Sequence, residues 1–423
     1  MKFAFITPRY GAEIGTGAEH AARLLAEQVA DRHDVDVLTT CARDPHTWNN
    51  DYPEGSDRVR GALVRRFAVN QSHDDAALKQ LSERLSDPSH GRADELEWVR
   101  RLGPSSPGLL DFLKRQHRNY DALLFFSLYH ATTVHALNVA PERSILFPHL
   151  RLDHPLRFGL WADLLRVPRA LGYLSACERT LAHEYLNVRR MPDEVVGIGI
   201  DAPPQQTYPR HQQDPADSPT PDEDELSAGA TEEEVSYLSG RGIPFRRRHR
   251  LYGAFALYGG RIEPDNGCEE MMEYFSSYAD ADGDASLVLM GVKMMKVPDE
   301  PYIRMAGVLP DRERMVAYEA ADVTLAPASD DLLAVSLLES LAVGTPVLAS
   351  ARNEAAIEHL RRANAGLYYR DREEFVETLR LLMTNTRLRE ELGENGRQYV
   401  RQNHRWDAVL GRFERLVGRV RRS

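Results

Sequence analysis

Short runs of consecutive apolar residues, each closed by a glycine, a proline or a polar turn, recur along the chain. Phe3-Ala4-Phe5-Ile6 opens it, and Val35-Asp36-Val37-Leu38-Thr39 follows. Runs of this length bounded by turn residues read as buried parallel strands. Between the first two lies a loop with Gly11, Gly15 and Gly17, then a stretch from Ala18 to Ala30 that places Ala22, Leu25 and Val29 on one helical face. Strand, glycine-rich turn, helix and strand in that order predict a βαβ unit. Further strands are predicted at 63–67, 122–126, 144–147 and 170–174, with polar helical stretches at 75–86 and 107–117. A second series of strands begins at Ala254–Arg261 and continues at 286–291, 322–327 and 346–349. The chain closes on a helix over 406–420, with Val409, Leu410, Phe413, Leu416, Val417 and Val420 in one stripe. No repeat at a solenoid period is present.

The two series are separated by a different kind of sequence. From Pro203 to about Gly242 the chain is rich in Pro, Asp, Glu, Ser and Gln, with too little apolar surface to order itself. The predicted organisation is an α/β first domain over 1–202, an acidic linker over 203–245, an α/β second domain over 246–405 and a terminal helix over 406–423. A chain of 423 residues is consistent with two such domains.

Charge sharpens this division. The net charge is −11, and residues 203–234 hold nine acids against the single base Arg210, so that segment carries −8 and leaves −3 for the rest. Near-neutral domains give nucleic-acid binding no support. Three widely spaced cysteines, Cys41, Cys177 and Cys268, exclude a disulfide scaffold or a cysteine-rich zinc site and make a reducing cytoplasm the default. No run approaches the roughly 20 apolar residues of a membrane span, and the apolar N-terminal run is too short for a signal peptide. The basic run Arg246-Arg247-Arg248-His249-Arg250 could bind the acidic linker, touch anionic lipid headgroups or simply be solvated, the last being the preferred reading. The arginines of the last helix leave peripheral contact with an anionic membrane face as a minor expectation.

Two facing parallel sheets bind ligands outside the carboxyl ends of their strands, which singles out three loops. The first, Tyr10 to His20, brings glycines to a helix N-terminus, where backbone N–H groups and the helix dipole suit an anion; such turns also merely ease packing. The second, Tyr258-Gly259-Gly260-Arg261 to Gly267-Cys268, sets an arginine after a buried strand, where its fork suits a phosphate or simply pairs with Glu263. The third runs from Pro327 to Val347. It carries Asp331 in a loop and Glu339 on an otherwise apolar helix, where an exposed position is one reading and a buried, ligand-facing carboxylate the preferred one.

The third stretch resembles the signature of the family 4 retaining glycosyltransferases: an acid, seven residues, a glutamate, then a Gly-x-Pro-Val end, here Asp331, Glu339 and Gly344-Thr345-Pro346-Val347. Gly259-Gly260-Arg261-Ile262 resembles that family's donor-phosphate loop, Gly15-Thr16-Gly17-Ala18-Glu19 its N-terminal loop, and Gly197–Asp201 the strand before its linker. Gly396–Tyr399 and Trp406-Asp407 resemble its C-terminal helices. The resemblance implies the GT-B architecture: two Rossmann-like domains facing across a cleft, with the last helix crossing back. It implies a nucleotide-diphosphate sugar, UDP- or GDP-linked, as donor, with no cofactor and no metal. The acceptor would be a glycan, a glycolipid or a small-molecule hydroxyl, glycosylated with retention, as in polysaccharide biosynthesis. Glu339 would then hold the ribose, and Arg261, Asn266, Gly260, Gly291 and Ser336 would line the donor site. Asp331, Arg151 and Asp153 would stand near the reacting centre, and Gly15, Gly17 and Glu19 would form the phosphate or acceptor loop.

The sequence departs from the family pattern at several polar positions. The first acid is Asp331 rather than Glu, and Leu333-Ala334 stands where Gly is usual. Asn266 replaces a Lys, and Arg151 takes the place of a His in Phe147–Pro155. These departures define an alternative: a catalytically silent GT-B protein acting as partner or scaffold of a second, active glycosyltransferase.

Overall fold

The computed structural model describes residues 1–14, 17–70, 74–87, 89–201, 242–281 and 283–421. Gly15 and most of the acidic segment lie outside them. The chain divides into two compact units, Met1–Gly199 with Trp406–Ser423, and Ile200–Arg405.

The first unit is built on β1 (Lys2–Ile6), β2 (Asp34–Thr40), β3 (Gly55–Val59), β4 (Ala62–Phe67), β5 (Ala122–Phe126), β6 (Ser144–Phe147), β7 (Ala170–Tyr173) and β8 (Asp193–Val195). They form one eight-stranded sheet in the order β3-β4-β2-β1-β5-β6-β7-β8. Every pairing is parallel except β3 with β4. The apolar runs are the central strands because helices cover both faces. Phe5, Phe126 and Phe147 stack across three neighbouring strands at ring separations of 5.7 and 4.7 Å. The polar strand β3 carries no such run, since four of its five residues are exposed and it pairs only at the sheet edge.

The closing helix, Trp406–Arg421, belongs to this unit. Its stripe lays Phe413 on Phe3 and Phe5, with ring centroids 5.7 and 6.4 Å apart. Arg412 Nε donates to Val196 O at 2.9 Å, and Arg419 Nη2 pairs with Glu194 at 2.8 Å. Val409, Leu416 and Val417 are fully covered.

The second unit carries β9 (Phe255–Gly259), β10 (Ser286–Met290), β11 (Ile303–Gly307), β12 (Val323–Ala326), β13 (Val347–Ser350) and β14 (Gly366–Tyr369). Its six-stranded sheet runs β11-β10-β9-β12-β13-β14, all parallel. A short helix, Ile243–His249, precedes β9 and takes up the end of the segment read as linker. Arg246 in that helix is buried rather than solvated. It donates to Ala320 O at 2.6 Å and to Asp322 at 3.1 Å, and lies over the Phe255 ring. Its carboxylate partner is distant in sequence, so a run of basic residues could not reveal the pairing.

The helix bearing Glu339, Val335–Val343, is fixed from behind by the helix Thr386–Asn403. Arg397 Nε donates to Val343 O at 3.1 Å. Gly393 lies so close that a Cβ there would sit 2.1 Å from Gly344 O. No described helix is long and apolar enough to cross a membrane. The close helix contact gives the first expectation. Gly393→Ala forces two backbones apart and lowers stability by about 1–3 kcal/mol in urea unfolding, in the range of overpacked cores. An unchanged midpoint would contradict the tight packing.

Candidate functional site

In the second unit the loops at the carboxyl ends of β9, β10 and β12 touch through their backbones. Gly291, just after β10, has φ +138°, and a Cβ there would lie 1.9 Å from Gly260 O. Gly267 has φ +71° and would place a Cβ 2.8 Å from Pro327 O. No L-residue with a side chain fits either position without displacement. Gly260 and Gly291 therefore act by permitting this approach, whatever else they contact.

Arg261 is half exposed and pairs with Glu263 at 2.7 Å. Asn266 Nδ2 donates to Arg261 O at 2.9 Å and to Glu263 Oε1 at 3.0 Å, so it braces its own loop. Asp331 is similarly turned onto the chain: its Oδ1 accepts from Leu333 N at 3.2 Å and Ala334 N at 3.1 Å. Burial pushes its carboxyl above the usual range in spite of those two bonds. Ala334, next along, holds φ +46°, a left-handed conformation that a Cβ resists. The helix starts immediately afterwards. Leu338 N–H bonds to Ala334 O, and by helix geometry the N–H groups of Val335, Ser336 and Leu337 point out of the N-terminus. Ser336 is half-buried there.

Glu339 lies one turn further and is buried. Arg314, on the helix Asp311–Ala320, donates from Nη2 to Glu339 Oε1 at 2.6 Å and from Nε to Oε2 at 3.1 Å. Burial works against the arginine's charge, but the hydrogen bonds and charge of Glu339 outweigh it and hold the guanidinium above its ordinary value.

In the first unit Gly17 opens the helix Gly17–Ala30 at φ +68°, and Glu19 is buried in its first turn. Arg9 Nε pairs with Glu19 Oε1 at 3.1 Å. A Cβ on Gly17 would sit 3.2 Å from Glu19 Oε2 and 4.0 Å from His149 Nε2, so His149 reaches this loop. His149 follows β6 at φ +55°. His130 stands in the same region, with Nδ1 2.7 Å from Ser127 Oγ; burial, partly offset by Glu19, lowers its pKa to about 4. Arg151 is exposed, while Asp153 accepts from Tyr129 Oη at 3.0 Å and caps the turn at Leu156 N.

Glu178 organises the loops behind His149. Its Oε1 accepts from Leu150 N at 3.1 Å and its Oε2 from Leu174 N at 2.7 Å, joining the ends of β6 and β7. Burial pushes its carboxyl up to about 7 against those bonds. His130, Glu178 and Arg314 were not among the residues that the sequence singled out. Only Glu178 left a local signal: the capping pattern Ser175-Ala176-Cys177-Glu178, in which Ser175 Oγ accepts from Glu178 N at 3.2 Å. Among the described residues no group of three or more His, Cys, Asp and Glu side chains is placed to hold a metal ion.

Residues 243–399 match the family Glycosyl transferases group 1. An 87-residue stretch is 30% identical to Glycosyltransferase 1 domain-containing protein 1 of Xenopus tropicalis, covering 20% of this chain and 24% of that relative. Solved structures are similar over almost the whole chain. Sucrose-phosphate synthase from Thermosynechococcus elongatus has a TM-score of 0.66 at 14% identity, covering 99% of this chain and 98% of its own. Anabaena HepE in complex with UDP and glucose has a TM-score of 0.64 at 13% identity, covering 99% of each chain. WaaG, a glycosyltransferase involved in lipopolysaccharide biosynthesis, has a TM-score of 0.57 at 17% identity, covering 98% of this chain and 100% of its own. These likenesses establish the GT-B fold.

Two expectations follow from this geometry. Ala334→Gly relieves a left-handed alanine, worth about 1–2 kcal/mol, but frees the unfolded chain. The net is a gain of up to about 1 kcal/mol in thermal unfolding, and a clear loss would contradict the strain. For Glu178, the folded protein keeps a proton between the ordinary value of 4.5 and about 7 that the unfolded chain releases. That contribution to stability therefore declines as pH rises through this window. Glu178→Gln lacks the decline, so the variant gains on the wild type from acid towards neutral pH. Parallel melting profiles would contradict it.

Proposed function

We propose that the protein transfers a sugar from a nucleotide-diphosphate sugar to a hydroxyl of a glycan, glycolipid or small molecule, with retention at the anomeric carbon. The observation that carries this reading is the helix Val335–Val343. It presents an N-terminus at the carboxyl end of a parallel sheet and, one turn on, a buried carboxylate. A nucleoside diphosphate needs both features. Its vicinal ribose hydroxyls are donors that suit Glu339. Its diphosphate suits the N–H groups of Val335–Leu337, with Arg261 within the same loop cluster.

The chemistry asked of these groups is electrostatic. When the bond from the anomeric carbon to the diphosphate breaks, negative charge builds on the leaving oxygen. A helix N-terminus and a guanidinium, already in place, stabilise it. On this reading no metal is required. Asp331 then contacts the donor sugar near the N-terminus. Glu19, His149 and His130 serve the acceptor side, with neutral His130 available as an acceptor or donor. Arg151 adds positive charge near Asp153. HepE, whose fold this chain shares, has been solved with UDP and glucose, which supports a nucleotide sugar as donor.

A second reading has its own observation. Glu263 neutralises Arg261, and Asn266 spends its amide on the loop, so the phosphate side holds less free positive charge than the fold allows. That favours a silent partner of an active glycosyltransferase. Thermal unfolding against UDP, GDP, ADP and their sugar conjugates separates the two. A ligand at a hundred times its Kd adds about 2.7 kcal/mol. A selective rise that disappears in Glu339→Ala is the expected result. No rise with any of them in folded protein overturns the enzyme reading in favour of the partner.

A further inference from the structure

Glu339 is met by a cation that its own helix does not supply. Arg314 approaches from the helix Asp311–Ala320 and takes both carboxylate oxygens, one on Nε at 3.1 Å and one on Nη2 at 2.6 Å, while its Nη1 donates to Asp311 at 2.8 Å. A planar fork on two oxygens fixes the carboxylate's plane as well as its place. Each oxygen keeps a further lone pair, since an ionised carboxylate offers about four acceptor positions. A vicinal diol is the donor pair that matches two such positions on adjacent oxygens.

We propose that Arg314 is the positioning residue of the nucleotide site: it fixes both oxygens of Glu339 so that their remaining lone pairs receive the two ribose hydroxyls of a nucleoside diphosphate. The proposal rests on the nucleotide reading of the second unit given above. It goes beyond that reading by making the ribose contact depend on a residue with no part in the Asp331–Glu339 signature.

The electrostatics around Glu339 explain why a cation is needed. Burial favours the protonated acid, and the carboxylates of Asp311 and Asp201 press in the same direction. Tyr318, on the same helix as Arg314, is fully buried and held neutral, its hydroxyl pushed well above the ordinary range. Arg314 opposes the burial and both carboxylates, though the Glu339 carboxyl still stays above its ordinary value. Without it Glu339 takes up a proton more readily, and one of its oxygens becomes a donor facing a donor.

The test is calorimetric titration at pH 6–9 with whichever of UDP, GDP and ADP the wild type binds, and with its 2′-deoxy form. The wild type binds the ribonucleotide with little change over this range and prefers it to the deoxy form. Arg314→Met binds about 10- to 100-fold more weakly at pH 6, the range for lost hydrogen bonds to a charged group. It discriminates poorly there and recovers as rising pH ionises Glu339 unaided. Arg314→Lys, which keeps the charge without the fork, lies between. A merely structural role would weaken binding equally at every pH.

Arg314→Met leaves a buried carboxylate unpaired and is expected to lose stability. If it fails to fold, Arg314→Lys carries the pH comparison, and the double variant Arg314→Met with Glu339→Gln recovers stability without ribose discrimination. Wild-type affinity and pH profile in a folded Arg314 variant would overturn the proposal. So would tighter binding, which would make Arg314 a competitor of the ribose. A wild type that binds none of the three nucleotides defeats the nucleotide reading itself, before any variant is compared.

Discussion

A carboxylate placed between leucines on a buried helix has to be paired, and the second unit is arranged around that requirement. Glu339 lies between Leu338 and Leu341 with almost no exposure. Left alone in such surroundings a carboxyl group gives up its charge rather than its burial. The pairing with Arg314 ties the helix Val335–Val343 to the helix Asp311–Ala320 in front. Gly393 and Arg397 hold it from behind. The helix N-terminus is thereby set at one place relative to the loops after β9 and β10. A diphosphate site depends on such fixity, because its N–H donors are worth most when they do not have to be reorganised.

The same logic recurs in the first unit with a different solution. Glu178 has backbone N–H groups for partners instead of an arginine, and it joins the loops after β6 and β7. The loop after β6 carries His149 towards Gly17 and Glu19. Glu19 in turn is compensated by Arg9. Glu178 thus joins two loops at the carboxyl ends of parallel strands, where α/β sheets place their ligands, whereas Glu339 ties one helix to another.

The central parallel strands β1, β5, β6, β9 and β10 were legible because they are buried and read as short apolar runs. The spacing of Asp331 and Glu339 was legible because both lie in one continuous stretch. The polar edge strand β3 was not, since its residues Gly55–Val59 face solvent and bury nothing that periodicity can register. β11 was missed for a similar reason, as an edge strand with only partial cover. The pairings of Arg246 with Asp322 and of Arg314 with Glu339 span too much chain for any local pattern to carry. The inward turn of Asn266 onto Glu263 depends on loop conformation, which residue type alone leaves open. The approach of His149 to Gly17 depends on the conformation of the loop after β6, left-handed at His149, which residue type alone leaves open.

On the proposed function, the helix Val335–Val343 receives a nucleoside diphosphate, phosphates at its N-terminus and ribose at Glu339. A crystal structure of the protein with the nucleotide sugar that stabilises it most tests this directly. Both ribose hydroxyls are expected within hydrogen-bond distance of Glu339 while Arg314 keeps its two bonds, with phosphate oxygens on the N–H groups of Val335–Leu337. A nucleotide bound elsewhere, or one that reaches Glu339 only after displacing Arg314, would contradict it.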